Sequence, residues 1–374
     1  MLNKGLLLKE FEQKKASLFP QQNRDIQTAH ALWHELCTDT SFLHYAQDQG
    51  LIKTSTNDMT FLGNTYTIEP TPEYYGIVAV DGSQIYPDKH QGTTAFLLNC
   101  ASVTLWYGFK EKNATRALFT SAPHFFPEQE GRSSLHEHDL VQMVNIKRDE
   151  LEWTTGLTGF YKAKLVHPDI TLVVCFDGSL FFLSQHIHPD LSTYSLKKYT
   201  SLMEQYAQQS IPLMGYVSLP KSQELVELLK KYAAFKGHSY DFSFLTDTDL
   251  AATFLIPGTH SAVFQTHHPI HSMLPHHLKP HFFYLCTQWE IARIEVPGYV
   301  TQNTDILKLI ASVAYDLAKK GNGYPAALAQ AHENTVITGS DRDFFYQLLK
   351  EFGIQNKRSI LPSQKALKKK FPTI

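Results

Sequence analysis

The sequence predicts an α/β protein, a mixed sheet flanked by helices and preceded by a helical N-terminal extension. Three observations carry that expectation. Two continuous runs of β-forming apolar residues, 76–80 and 170–176, suit strands buried on both faces. Each run leads directly into the same tripeptide, Asp81-Gly82-Ser83 and Asp177-Gly178-Ser179. Through the second half of the chain, segments with apolar residues three and four apart alternate with short strand-like runs.

In chain order, residues 6–18 and 25–43 show helical spacing and form the extension. Strands follow at 77–80, 94–99 and 103–107, separated by polar turn residues, which predicts a three-stranded meander. Residues 108–135 contain Pro123 and Pro127 and read as an irregular connection. A helix is expected over 139–165, then the second buried strand, a helix at 196–208 and a strand at 213–218. The next helix, 222–235, has Ser222 as its expected N-cap. The domain division that follows is a helical extension over 1–70, one α/β domain over 71–355 and a basic tail over 356–374.

A chain of 374 residues with 43% hydrophobic content can bury a substantial core. Its apolar stretches are too short to cross a bilayer, and its start, Met1-Leu2-Asn3-Lys4, has no secretory pattern, so a cytoplasmic protein without membrane contact is expected. Cys37, Cys100, Cys175 and Cys286 lie far apart with no metal or disulfide spacing and read as small buried apolar residues. With 34 basic against 36 acidic residues, the formal net charge of −2 argues against a protein that binds nucleic acid by overall charge. Any such binding has to use a local patch or a partner. The clearest patch is the tail, with Lys357, Arg358, Lys365, Lys368, Lys369 and Lys370.

The repeated tripeptide has two readings. Asp-Gly is a common turn dipeptide, so both copies can simply end a strand. If the two strands are neighbours in one sheet, their aspartates instead converge, and oxygen donors of that kind hold hard cations such as Mg²⁺ or Mn²⁺. Lys221, at the start of the 222–235 helix, is either an exposed loop lysine or joins the helix N–H groups in holding a phosphate. His260, His267, His268, His271, His276, His277 and His281 suggest zinc, but Pro269, Pro275 and Pro280 between them mark a loop without regular ligand spacing, which is the expected outcome.

A meander followed by alternating helices and strands, with carboxylates at strand ends, is the element order of an RNase H-like fold. Further residues narrow the resemblance: Arg148-x-x-x-Glu152, Phe176-Asp177-Gly178-Ser179-Leu180, Ser218-Leu219-Pro220-Lys221-Ser222, Glu295-Val296-Pro297-Gly298-Tyr299, and Tyr324-Pro325-x-x-Leu328-x-x-Ala331-His332. In this order they resemble the NurA nucleases over residues 76–350. The resemblance implies a Mn²⁺-dependent, homodimeric nuclease, with Mg²⁺ as the alternative and two ions per site. It implies degradation of single- and double-stranded DNA in the 5′ to 3′ direction, and docking on the hexameric HerA ATPase in DNA end processing.

Carried over by motif, Asp81 and Asp177 are the expected metal ligands, Glu152 the third carboxylate and His332 a ligand or proton-transfer group. Tyr324 is expected to orient the scissile phosphate, and Ser83, Ser179 and Lys221 to contact DNA. Glu150 competes with Glu152, because residues two apart on a helix point about 200° apart and only one can face the site. Tyr324 and His332 share a helical face if the segment between them is continuous. The helical N-terminus and the tail are the expected places for dimer and partner contacts. Two other classes stay open: a non-catalytic adaptor of the ATPase, against which the intact acidic set argues, and a metal-dependent phosphohydrolase of nucleotides or small phosphate esters.

Overall fold

The computed structural model describes residues 2–18, 22–54, 62–109, 114–127, 137–180, 188–266 and 269–356. The tail from Lys357 onward, His267 and His268 lie outside these residues.

At the centre is a mixed sheet. Its strands are β1 (Lys53–Thr54), β2 (Thr65–Thr67), β3 (Tyr75–Ile85), β4 (Phe96–Tyr107), β5 (Ala117–Phe126), β6 (Thr171–Asp177), β7 (Leu213–Val217), β8 (Thr259–Ser261), β9 (Phe264–Gln265), β10 (Pro280–Cys286) and β11 (Ile291–Pro297). Across the sheet the order is β1-β9-β10-β11-β7-β6-β3-β4-β5, with β8 also on β10 and β2 on β8. Strands β3, β6 and β7 run parallel, and their neighbours on both sides are antiparallel.

The meander forms, but with different members. Residues 96–107 make one strand rather than two, because the polar residues that suggested a break find partners on the neighbouring strand and on the helix packed over it. Ser102 bonds Thr120 across the strand pair at 2.7 Å, and Asn99 Nδ2 donates to the Thr335 carbonyl at 3.1 Å. The third strand, β5, comes from the segment expected to be irregular. It lies at the sheet edge, where Pro123 removes no ladder bond to a further strand.

Strand alternation sends two sets of side chains to opposite faces. Ile77, Ala79, Val173 and Cys175 pack on one face against α9 (Thr304–Lys320) and α10 (Ala326–Thr335). Val78, Val80, Val174 and Phe176 pack on the other against α4 (Glu137–Val166) and α5 (Pro189–Gln208). Burying each valine, isoleucine or phenylalanine among them contributes about 1.5–3 kcal/mol. The expected helix at 196–208 starts earlier, at Pro189, whose fixed φ suits the first helical turn. Of the four free cysteines, Cys100, Cys175 and Cys286 are buried and Cys37 half-buried.

A third core joins α2 (Gln22–Thr38) and α3 (Thr40–Asp48) to α6 (Glu224–Phe235), α7 (Asp247–Ala251), β9 and β10. The helical pattern at 25–43 is split because Asp39 caps a new helix, accepting from Ser41 N at 3.1 Å and Phe42 N at 3.2 Å. Its other oxygen pairs with Lys236 at 2.7 Å. The Lys236 contact and the Ser41 hydroxyl hold its pKa below the usual carboxylate range. Asp39→Ala is expected to cost about 1 kcal/mol, as for a lost N-cap. A depressed folded pKa adds stability above the unfolded value of about 4, so the advantage of the wild type shrinks as pH falls below it. Denaturation of both proteins at pH 7 and pH 3 measures this; an equal gap at both pH values would contradict it.

The expected N-cap of α6 is also different. The hydroxyl of Ser222 pairs with that of Tyr284 at 2.7 Å, and Gln223 in the cap position makes no side-chain cap bond. The buried carboxylate of Asp247 takes over, accepting from Leu225 N and Val226 N at 2.9 Å each. The final helix, α11 (Gly339–Gln355), carries a capping box made by Thr338 and Asp341.

Candidate active site

The register of β3 and β6 brings the two repeats together. Val80 stands opposite Phe176 in parallel pairing, so Asp81 and Asp177, the next residue of each strand, are neighbours across strands about 4.8 Å apart. Both follow the odd-numbered residues onto the α9/α10 face. Only one copy ends its strand. Strand β6 stops at Asp177, whereas β3 runs on through Gly82 and Ser83 to Ile85, because β4 pairs with it along its whole length. The first Asp-Gly is therefore not a turn.

Asp81 Oδ2 accepts from Thr335 Oγ1 and contacts His332 Nδ1, both at 2.9 Å. Among the described residues its Oδ1 accepts no hydrogen bond. The Tyr324 hydroxyl stands near enough to Asp177 to lower the pKa of its carboxyl, against the larger upward push of burial. Tyr324 and His332 do not share a helix, since Pro325 is the N-cap of α10 and Tyr324 precedes it. They converge because the chain before the helix and the helix itself lie over the two strands.

Glu152 reaches the same edge from the opposite face. Its Oε1 would lie 2.6 Å from a Cβ at Gly82, so the missing side chain there makes room for the carboxylate. Burial pushes the Glu152 pKa well above the ordinary value; the charges of Asp149, Asp81 and Asp177 add to this, and Arg148 at 3.2 Å offsets part of it. Asp149, also desolvated, is pushed up to about 6. Asp177 is raised by desolvation and by Asp81. Glu150 turns away, to Lys198 at 2.7 Å and to the Tyr194 hydroxyl at 2.5 Å.

Glu152 and Asp177, each raised first by burial and then by neighbouring carboxylates, lie where positive charge is short. Oxygen donors with one imidazole fit a hard divalent cation. Among the described residues, however, no three acidic, histidine or cysteine side chains already stand in ligating array. Arg148, held by Gln84 at 3.1 Å, occupies Glu152.

The NurA domain model matches residues 75–337. The chain belongs to the NurA family. Its structure resembles the crystal structure of the NurA nuclease from Sulfolobus solfataricus, with a TM-score of 0.51 and 14% sequence identity over 89% of this chain and 98% of that one. No curated protein matches the chain.

Not every expected contact residue of this NurA domain is open to a ligand. The Ser83 hydroxyl donates to the Thr335 carbonyl, fastening the end of α10 to β3. The Ser179 hydroxyl donates to Glu295 Oε2 at 2.7 Å. Lys221 is exposed and has no ion-pair partner among the described residues, but the α6 N–H groups expected to join it at a phosphate are taken by Asp247. Three of the described histidines between 260 and 281 serve separate purposes: His260 stacks on Tyr66, His277 pairs with Glu204 at 3.0 Å, and His281 is buried with its pKa lowered to about 4 by desolvation.

Three contributors carry no assigned role in the sequence reading, although Arg148 and Glu295 stand in its motifs. Thr335 carries no signal beyond lying three residues after His332. Arg148 was visible only as a motif partner of Glu152. Glu295 is buried and far away in sequence, yet its Oε2 also accepts from Leu180 N at 3.0 Å and so fixes the turn that follows Asp177.

Proposed function

We propose that the protein is a metal-dependent DNA nuclease with an RNase H-like core. The observation that carries this reading is the side-by-side alignment of Asp81 and Asp177 where β6 ends, with Glu152 forced into the same electrostatic neighbourhood. The sheet order β5-β4-β3-β6-β7, an antiparallel meander followed by two parallel strands, supports the core assignment.

Asp81, Asp177, Glu152 and His332 are the residues that would hold two divalent ions, Mn²⁺ or Mg²⁺. When bound, such ions supply Lewis-acid stabilisation to the attacking and leaving oxygens of a phosphodiester. Thr335 and His332 orient Asp81 through Oδ2 and leave Oδ1 for coordination. Tyr324 orients Asp177. Glu152 would join the ligands only with its Arg148 pairing given up, and the guanidinium so freed would suit a phosphate oxygen.

An open site favours a polymer over a small phosphate ester, because small ligands are usually enclosed. Asp177 is exposed as a residue even though the groups around its carboxyl desolvate it in part, and the His332 side chain is 64% exposed. A cavity of about 510 Å³, lined by Tyr66, His260 and Lys308 among others, includes none of the proposed ligands.

The reading extends, through family resemblance, to a homodimer working in the cytoplasm with a HerA-type ATPase. Near-neutral net charge supports dependence on a partner to deliver DNA. The N-terminal helix α1 (Lys4–Leu18) offers a surface for such contacts, with Leu6, Leu8 and Phe11 exposed. No helix among the described residues is long and apolar enough to cross a membrane.

The test is cleavage of end-labelled single- and double-stranded DNA with Mn²⁺, Mg²⁺ or EDTA, with and without the ATPase. Cleavage that requires the divalent ion is expected. Failure under all conditions, or faster turnover of free nucleotides than of DNA, would overturn the proposal.

A further inference from the structure

Beside Asp177 stands an apolar rim that the carboxylate chemistry does not use. Asp177 is paired in register with Tyr216 of β7, and the backbone of Gly178 bonds Tyr216 at 2.8 Å, so the loop leaving β7 borders the site. The first residues of that loop are Ser218 and Leu219. Leu219 is 73% exposed and has φ +44°, a backbone conformation in which a bulky side chain is an outlier. Glu290 holds it there: its carboxylate accepts from the Tyr216 hydroxyl at 2.9 Å, Ser218 Oγ at 2.6 Å and Leu219 N at 3.1 Å.

The residue before Glu290 is Trp289. It is 47% exposed, whereas Trp33, Trp106 and Trp153, the other three tryptophans, are at most 3% exposed. Its position is also fixed. Thr287 Oγ1 accepts from Trp289 N at 3.2 Å, and the indole lies over Gly323, where a Cβ would come within 3.2 Å of Cγ. Gly323 immediately precedes Tyr324, whose hydroxyl stands near Asp177 and whose ring packs edge-on against Tyr216. One carboxylate thus ties a strained, exposed leucine to the turn that presents an exposed tryptophan, the leucine three residues beyond the strand partner of Asp177 and the tryptophan against the glycine that precedes Tyr324.

We propose that Trp289 and Leu219 form a platform on which an unpaired nucleobase of single-stranded DNA rests while the adjoining phosphate lies at Asp81 and Asp177. The proposal rests on the nuclease reading. An unpaired base has an apolar face that stacks on an aromatic side chain with little regard to sequence. An intact duplex keeps that face inside its own stack and presents mainly phosphate and groove edges, which gain nothing from this rim. Local backbone strain held by a dedicated hydrogen-bond acceptor is the kind of arrangement found at ligand clamps.

The experiment is a titration of the full chain with end-labelled oligothymidylate in EDTA, followed by anisotropy of the label and by tryptophan emission. Binding is expected to quench the exposed fluorophore. Trp289→Ala is expected to weaken binding about tenfold, the size of one base stacked on an aromatic ring. Trp289→Phe should retain most of the affinity. Leu219→Gly relieves the backbone strain, so it should weaken binding while unfolding no more easily than the wild type. Blunt duplex of equal length should bind all variants alike. Oligothymidylate that binds with unchanged emission, and with equal affinity for wild type, Trp289→Ala and Leu219→Gly, overturns this proposal alone and leaves the rim to a protein partner. A wild type that cleaves duplex but neither binds nor cleaves single-stranded DNA likewise overturns this proposal alone, whereas one that cleaves no DNA under any condition overturns the nuclease reading and this proposal with it.

Discussion

Asp81→Asn and Asp177→Asn are each expected to lower divalent-ion-dependent DNA cleavage by more than about a hundredfold, the upper range of changes one shell away from a metal. The amide keeps the shape and an acceptor for Thr335 and His332, or for Tyr324, but loses the charge that coordination needs. Stability should move the other way at position 177. Desolvation and the nearby Asp81 raise the Asp177 pKa, and burial raises that of Glu152. A carboxyl with a raised folded pKa makes folding less favourable as pH climbs from its unfolded value, about 4, through the folded one. Asp177→Asn removes its share of that cost, so the variant should be at least as stable as the wild type at pH 7 and lose this advantage near pH 3. Cleavage assays paired with denaturation at the two pH values separate the outcomes. Retained cleavage in both variants would end the metal-site assignment, and lost cleavage with a destabilised protein would leave it unsupported.

Arg293→Met is expected to destabilise the fold by about 3–5 kcal/mol, as when one partner of a buried ion pair is removed. Arg293 and Glu295 are each 5% exposed; Arg293 Nε meets Glu295 Oε1 at 2.9 Å and its other arm meets Glu224 Oε1 at 2.8 Å. Burial alone would lower the arginine pKa, yet the two glutamates more than offset it and hold the charge. The guanidinium also lies 3.7 Å from the centre of the Phe282 ring. Without it, Glu295 is a buried charge with only the Ser179 hydroxyl and Leu180 N–H as partners. The double replacement Arg293→Met with Glu295→Gln should recover a large part of the loss, and urea denaturation of the single and double variants measures it. A single-variant cost below about 1 kcal/mol, the level of an exposed pair, would show that the network does not anchor the site.

Both expectations depend on features that differ in how far the sequence disclosed them. The buried strands β3 and β6 were legible because burial on both faces leaves a continuous apolar run, which local composition records. Asp81 and Asp177 were legible because they repeat in the same tripeptide after those runs. Strand β5 was not, since an edge strand tolerates Pro123 and exposed Phe119 and Phe125, and thus lacks the pattern that marks a central strand. The break assigned between residues 99 and 103 failed for a related reason: whether a polar side chain interrupts a strand depends on the partner across from it, here Thr120 for Ser102.

The choice between Glu150 and Glu152 shows the limit most clearly. Helical geometry alone states that only one can face the site, and the chain alone does not say which. The structure turns Glu150 towards Lys198 and Tyr194 and sets Glu152 against Gly82, because the side of α4 that packs on β3 is decided by Trp153, Leu157 and the other apolar residues of the helix. The same holds for Asp247 capping α6, for Thr335 bonding Asp81 and for Glu290 holding Leu219.

By itself, then, the sequence determined the class of fold, its two central strands and the chemistry of the acidic residues that follow them, all of which are properties of short contiguous segments. Tertiary structure decided which carboxylates share a neighbourhood, which hydroxyls are already committed and which apolar side chains are left facing solvent beside them. Those outcomes depend on strand register and helix rotation, which are set by packing between segments far apart in the chain.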